Sequence, residues 1–476
     1  MEGDAMCADV RSGLPSVSRL LDQPAIADLI AAHSRPLVLR AIQSTLDSLR
    51  RSLAPDAEAP SLDAVVAAVK SELIDRVELD RLRPVVNATG VLLHTGLGRA
   101  PLPPAAARAL ADGWRCVNMQ IDLATGRRGR RNHMCEHLLC LLTGAEAAMI
   151  VNNNAGATLL VLAALCEGRD VIVSRGQLIE IGGSYRLPDC VTRSGARMVE
   201  VGATNKTHLR DYAAALKPET GAVLRVNPSN YRIVGFTQDV SIAELVSLKR
   251  DHPDLLVLDD LGCGALTSLE PFGLPAEPTV SDSVAAGADL AFFSGDKLIG
   301  GPQAGIIVGR RDLIQTIRKH PLTRMLRVDK LTDLALEHTL RLFLDPESLP
   351  RTHPLYRMLT EPLETLRARA EALAAGVDRV GAGALDVQVV ETESATGGGA
   401  LPGASIPSIG LALTSSRAGA DALSRRLRRN APPIIARIED NTVILDMRTL
   451  LEGEEALVAE GLERLAKSPG ERDNPS

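Results

Sequence analysis

The chain has 476 residues, of which 45% are hydrophobic, 24% charged and 2% aromatic, and its net charge is −6. That length exceeds one ordinary domain and leaves ample core volume, so two or three domains are expected. The scarcity of aromatics argues against a base-stacking RNA platform. The acidic balance excludes a generally basic nucleic-acid binder, though not a local basic patch.

Residues 1–70 read as a small helical domain. Leu14-Pro15-Ser16-Val17 is a helix start, and Leu20, Leu21, Ile26, Leu29 and Ile30 follow at helical spacing. A second helix is expected over Val38–Leu53, ended by Ala54-Pro55-Asp56, and a third over Leu62–Leu79. A linker, 71–86, leads to a region of different texture. Short runs rich in Val, Ile and Leu alternate with helix-length segments: Ala148–Val151, Val171–Val173, Met198–Val201, Val223–Val226, Leu255–Leu258, Leu290–Phe293 and Gly305–Val308. Such strands indicate an α/β domain, 87–343, with a mostly parallel sheet covered on both faces in three layers. A C-terminal α+β domain, 344–468, is expected to hold a helix over Leu359–Ala375, a Gly397-Gly398-Gly399 loop, and strands at Ile406–Leu413 and Thr442–Leu445. Residues 469–476 read as a tail.

Cys7, Cys116, Cys135, Cys140, Cys166, Cys190 and Cys263 are scattered, without a C-x-x-C pair or zinc-finger spacing, and read as buried thiols of a reducing compartment. No metal site is expected. The N-terminus lacks a signal pattern and no apolar run approaches the ~18 residues of a membrane span, so a cytoplasmic protein without membrane association is expected.

The chemistry gathers on Ser294-Gly295-Asp296-Lys297. A lysine on a tight turn at a strand end can be held rigidly in a cleft, and burial lowers its pKa, as a Schiff-base nucleophile requires. A lone lysine there is more often an ordinary surface residue. Two other segments change that reading. Asp260, at the end of the Leu255–Leu258 run, is placed to pair with a pyridinium nitrogen. Asn152, Asn153, Asn154 and Ala155 follow another strand and open a helix, an anion cradle suited to a cofactor phosphate. Phosphate cradle, aspartate and lysine in that order are the arrangement of the fold-type I pyridoxal-phosphate (PLP) enzymes.

Over nearly its whole length the sequence resembles the bacterial selenocysteine synthase family, the L-seryl-tRNA(Sec) selenium transferases. The resemblance runs through Val86-Asn87-Ala88-Thr89-Gly90, Leu93-His94-Thr95-Gly96-Leu97-Gly98-Arg99-Ala100 and Thr125-Gly126-Arg127-Arg128-Gly129-Arg130-Arg131. It continues through the Asn triplet, Gly202-Ala203-Thr204-Asn205-Lys206-Thr207-His208, Ser229-Asn230-Tyr231-Arg232-Ile233, the lysine segment, and Arg324-Met325-Leu326-Arg327. Gly96, Cys263 and Asn227-Pro228 depart from the family pattern without touching the lysine, the aspartate or the arginines.

The resemblance implies a fold-type I transferase with PLP on Lys297. Asp296 is counted with Lys297 in the catalytic pair, and Asp260, Asn152–Ala155 and Ser294 are the further cofactor contacts. It implies conversion of seryl-tRNA(Sec) to selenocysteinyl-tRNA(Sec), by loss of water to a PLP-bound aminoacrylyl-tRNA and addition of selenium from selenophosphate. Selenophosphate is a compact polyanion. Arg324 and Arg327, one helical turn apart, with Arg99 and Arg131, are expected to bind it. His94 and His133 are candidate proton carriers or structural histidines. For tRNA, Arg35, Arg40, Arg50 and Arg51 and, near the C-terminus, Arg425, Arg426, Arg428 and Arg429 are candidates, set against solvated helix faces. The resemblance also implies a ring-shaped homo-oligomer with sites built between subunits. Two rival readings remain: a PLP lyase acting on a small amino acid or amino sugar, and a non-catalytic RNA-binding protein.

Overall fold

A computed structural model of the chain describes residues 13–53, 58–73, 82–183, 185–378 and 385–467. The chain separates into two compact units, Met1–Pro84 and Val85–Ser476.

In the first unit Ser16 caps the helix Val17–Leu21 by accepting from the Arg19 amide. The periodic stretch from Leu20 to Ile30 is not one helix. It stops at Asp22 and restarts as Pro24–His33, because proline fits a first helical turn but not an interior. Arg35–Ser52 and Leu62–Leu73 complete the unit, and the expected extension to Leu79 lies outside the described residues. Leu20, Ile26, Val38, Ile42, Leu46, Val65 and Val69 form its core. Arg35, Arg40, Arg50 and Arg51 are all exposed on the long helix, and Arg50 pairs with Asp47 at 2.8 Å.

The second unit holds two larger sheets. The first has seven strands in the spatial order Ala147–Val151, Gly305–Gly309, Leu290–Ser294, Leu256–Gly262, Thr220–Val226, Asp170–Ser174, Arg197–Val201. Gly305–Gly309 runs antiparallel to both its neighbours, and the other pairs are parallel. Successive residues face opposite sides. Ile150, Phe293 and Ile306 pack with Leu138 and Leu139 of the helix His133–Thr143 and Leu336 of Lys330–Leu340. Val151, Phe292 and Ile307 pack with Leu160 and Val161 of Asn154–Leu165 and Ile314 of Arg311–Lys319. This is the expected three-layer α/β fold, and its strands read as continuous apolar runs because both faces are buried.

The C-terminal sheet has five strands, in the order Val86–Ala88, Ile434–Glu439, Thr442–Asp446, Ser405–Thr414, Asp386–Ala395. Sequence periodicity marked only two of them. Val86–Ala88, at the edge of the expected linker, pairs parallel with Ile434 rather than opening the larger sheet. The helix expected over Leu359–Ala375 is two, Pro354–Thr360 and Leu363–Asp378, divided at Glu361-Pro362. The tail 468–476 lies outside the described residues. Among the described residues no helix is long and apolar enough to cross a membrane.

Candidate active site

Strand Leu290–Ser294 delivers Lys297 onto a turn closed at both ends. The Gly295 amide donates to Ala304 O at 2.9 Å and the Gly300 amide to Lys297 O at 2.8 Å. Beneath the turn lies a cluster of rings, with Phe272 and Phe343 set edge-on to Tyr356. Tyr356 donates its hydroxyl to Leu298 O (3.1 Å), and His353 Nε2 contacts Ile299 O at 2.9 Å. Burial pushes the His353 imidazole down to about 4, so the ring is neutral. Its Nδ1 accepts from the Leu355 amide, which leaves the proton on Nε2 to donate. Gly300, at φ +63°, fits only without a side chain, since a Cβ there would run into the His353 ring. Gly300→Ala is therefore expected to cost about 1–3 kcal/mol in urea denaturation and to weaken cofactor retention.

Lys297 is 6% exposed. Burial lowers its pKa; the neighbouring Cys263 thiol opposes the shift, and the Arg99 guanidinium reinforces it. An amine so placed loses its proton more readily than a surface lysine. Gly399, in the loop between the long C-terminal strands, sits over it, and a Cβ at that position would lie 3.3 Å from Lys297 Nζ.

Asp260 lies within the strand Leu256–Gly262, longer than the apolar run suggested, and is 4% exposed. Its Oδ1 accepts from Asn154 Nδ2 (2.7 Å) and the Gly262 amide (3.1 Å), and its Oδ2 from Thr158 Oγ1 (3.0 Å). Burial nevertheless pushes its carboxyl up to about 6 against those three bonds. A carboxylate held there at a cost is one that a cation would relieve.

The cradle differs from the sequence expectation. Asn153 is the helix cap, its Oδ1 accepting from the Gly156 amide at 2.7 Å, and the Asn154 amide is committed to Asp260. Those side chains thus build the cradle, and the first-turn amides of Asn154–Leu165 are the donors left for an anion. Asn152 Oδ1 and Asn154 Oδ1 are buried without a hydrogen-bond partner among the described residues.

Lys297, Asp296, Asp260, Asn153, Asn154, Ala155, Ser294 and Arg99 line one cavity of about 240 Å³. Arg99 Nη1 holds both oxygens of the buried Asp296, at 2.8 and 2.9 Å. Arg131, Arg324 and Arg327 do not line that cavity. The helix Leu322–Met325 ends before Arg327, so the two exposed arginines do not share a helical face as their spacing implied. The segment is tied to the cradle instead: the Asn152 amide donates to Leu326 O at 2.9 Å, and Arg131 Nη1 to Val328 O at 3.2 Å. Burial and the nearby Arg327 lower the Arg131 pKa. His133 is exposed, and His94 is half-buried with its Nδ1 unpartnered among the described residues. Arg425, Arg428 and Arg429 are exposed around the helix Ala420–Arg428, while Arg426 is half-buried.

Sequence reasoning missed Thr158, Tyr185, Ser229 and Gly399. Thr158 was detectable, one helical turn beyond Asn154 on the same face. Tyr185 and Ser229 line the cavity from matched or neighbouring segments that had been given no role. The described residues hold no group of three or more His, Cys, Asp or Glu able to bind a metal.

The residues present fit PLP: a buried amine, a buried carboxylate in need of a cation, and a helix N-terminus open into the same cavity. This site on this sheet order defines a fold-type I PLP-dependent enzyme. D-Glucosaminate-6-phosphate ammonia-lyase superposes with a TM-score of 0.56 at 21% identity, covering 83% of this chain and 98% of that one, which speaks for the fold alone. The family model of L-seryl-tRNA selenium transferase matches residues 85–451, and that of the selenocysteine synthase N terminus matches 11–50. The L-seryl-tRNA(Sec) selenium transferase of Moorella thermoacetica is 46% identical over 450 residues, 94% of this chain and 95% of its own. That of Solidesulfovibrio magneticus is 48% identical over 436 residues, 90% and 93% of the two chains. The chain belongs to the L-seryl-tRNA selenium transferase family.

Proposed function

We infer that the protein converts L-seryl-tRNA(Sec) to L-selenocysteinyl-tRNA(Sec) with selenophosphate as selenium donor, in the cytoplasm. The carrying observation is that the buried Lys297 and Asp260 line one cavity in a chain that matches this family almost end to end. Bound PLP supplies an electron sink for the bond broken at the serine α-carbon.

The chain's own groups do the rest. Asp260 would serve as the anionic partner of the cofactor's ring nitrogen, and Asn154 and Thr158 fix its orientation. The Lys297 amine, its pKa lowered by burial, takes the α-proton of the seryl group. That proton leaves with the β-hydroxyl as water, and selenium then adds at the β-carbon while the selenol proton of selenophosphate goes to the α-carbon. Hydrolysis of the selenium–phosphorus bond releases phosphate. Arg99 pairs with Asp296 and so sets the acid beside the lysine while adding positive charge to the cavity.

Arg131, Arg324 and Arg327 lie outside this cavity, so they serve selenophosphate at its approach or at the site of a second copy. Trp114, Ile121, Leu123 and Met325 are exposed apolar side chains on and near the arginine-bearing segments, which supports a homo-oligomer with contacts there. The helical unit, with its exposed arginines, recognises the shape of tRNA(Sec).

The decisive measurement is turnover of seryl-tRNA(Sec) with selenophosphate beside ordinary seryl-tRNA; equal rates on the two would refute the specificity. Removing residues 1–70 is expected to weaken tRNA(Sec) binding by at least tenfold in filter binding while the protein remains yellow. Unchanged binding would place recognition elsewhere.

A further inference from the structure

A second cavity, of about 480 Å³, adjoins the lysine cavity, and Asn227 lines both. Two sequence stretches that match the family yet have no part in the chemistry above form its walls. Thr204, Asn205 and Lys206 come from one, and Tyr231 and Arg232 from the other. The Tyr231 hydroxyl donates to Gly176 O, which pins the ring as a flat wall. Asn205, Gln238 and Thr204 present amide and hydroxyl groups, and Glu277 faces in from across the space. Burial raises the pKa of the Glu277 carboxyl, and the Asn227 side chain on the shared wall opposes that shift. The lining thus mixes apolar groups (Pro228, Ile233, Leu401) with amides and the carboxylates of Asp239 and Glu277, and the cations Lys206 and Arg232 are exposed.

The substrate's covalent structure sets a strict demand on this neighbourhood. The seryl carbonyl is esterified to a ribose oxygen of the last nucleotide, so that nucleoside must sit one ester bond from the atoms Lys297 works on. The lysine cavity, at about 240 Å³, is below the ~300–1,000 Å³ of ordinary ligand sites and is needed for the cofactor and the seryl group. A further cavity that shares Arg99 with it holds only about 110 Å³. The 480 Å³ cavity falls within the range.

We propose that the cavity bounded by Thr204–Lys206, Tyr231, Gln238 and Glu277 is the subsite for the 3′-terminal nucleoside of the charged tRNA. The ester passes Asn227, and base and ribose are enclosed by neutral and acidic groups. The preceding phosphates are left at the rim beside Lys206 and Arg232, where their charge is matched. Placed so, the nucleoside orients the seryl α-carbon toward Lys297, and binding energy from a non-reacting part of the substrate is used for positioning. This inference rests on the functional reading given above.

The test uses wild-type holoenzyme and seryl-tRNA(Sec) carrying 8-azidoadenosine at its 3′ end. After irradiation, cross-linked peptides are expected from 204–207, 231–239 or 275–277. Cross-links confined to other segments overturn the subsite. Turnover of unmodified seryl-tRNA(Sec) by the same preparation is measured in parallel, so that failure of the functional reading (no turnover) is distinct from failure of the subsite (turnover, wrong peptides). Ala276→Trp, at an exposed position lining the cavity, provides a second readout. It is expected to raise KM for seryl-tRNA(Sec) at least tenfold while the long-wavelength absorbance of the bound cofactor is kept. An unchanged KM in a yellow variant overturns the proposal; a colourless variant leaves the cross-link to decide alone.

Discussion

Lys297→Ala is expected to lose the long-wavelength absorbance of the bound cofactor and to slow conversion of seryl-tRNA(Sec) by roughly 10³-fold or more, since in the proposed mechanism this lysine is both the cofactor's anchor and the base for the α-proton. Lys297 is buried, so the shortened side chain leaves a cavity, while Asp296 keeps its pairing with Arg99 and Asp260 its three hydrogen bonds. The protein is therefore expected to fold, and circular dichroism should match wild type. Added primary amines should restore part of the turnover if proton transfer is the missing function. A folded variant that stays yellow and active would remove Lys297 from both roles.

Asp260→Asn separates stability from activity. The carboxyl is raised from 3.8 to about 6 in the fold, chiefly by burial. Between those two values the unfolded chain gives up its proton while the folded chain keeps one. The carboxylic acid's contribution is thus complete below pH ~4 and lost as pH rises through about 6, a cost of ~3 kcal/mol at neutrality. Cofactor-free Asp260→Asn is expected to lack that decline and to exceed wild type in denaturant midpoint at pH 7.5. The same variant should turn over roughly 10²–10³-fold more slowly, having lost the charge proposed to partner the cofactor ring. If wild-type stability rises rather than falls between pH 4 and 6.5, with no difference in Asn, the burial argument fails.

The positions of Lys297 and Asp260 stood out in the sequence because a buried apolar run leads to each, Asp260 inside the strand Leu256–Gly262 and Lys297 just past Leu290–Ser294. The three-layer sheet was legible for the same reason. Side-chain direction was not. Nothing in Asn152-Asn153-Asn154 tells which amide caps the helix and which turns to Asp260; that is decided by a strand far along the chain. The Arg324/Arg327 spacing implied a shared helical face only if the helix continued, and it ends at Met325. Gly399 carries no chemical label, so its approach to Lys297 follows only from the fold. Val86–Ala88 is three residues with a polar centre, too short for periodicity to register.

That short strand has a consequence for biosynthesis. Val86–Ala88 lies beside Ile434–Glu439, and Arg437 reaches back to Thr89 O, 348 residues earlier. At the ~5–20 residues per second of ribosomal synthesis, the first strand waits tens of seconds for its neighbour to emerge. The loop bearing Gly399 emerges late as well, so the roof over Lys297 closes only near the end of translation. A chain cut short before Ile434 would carry Lys297 with Val86–Ala88 unpaired, an exposed edge that chaperones and proteases recognise.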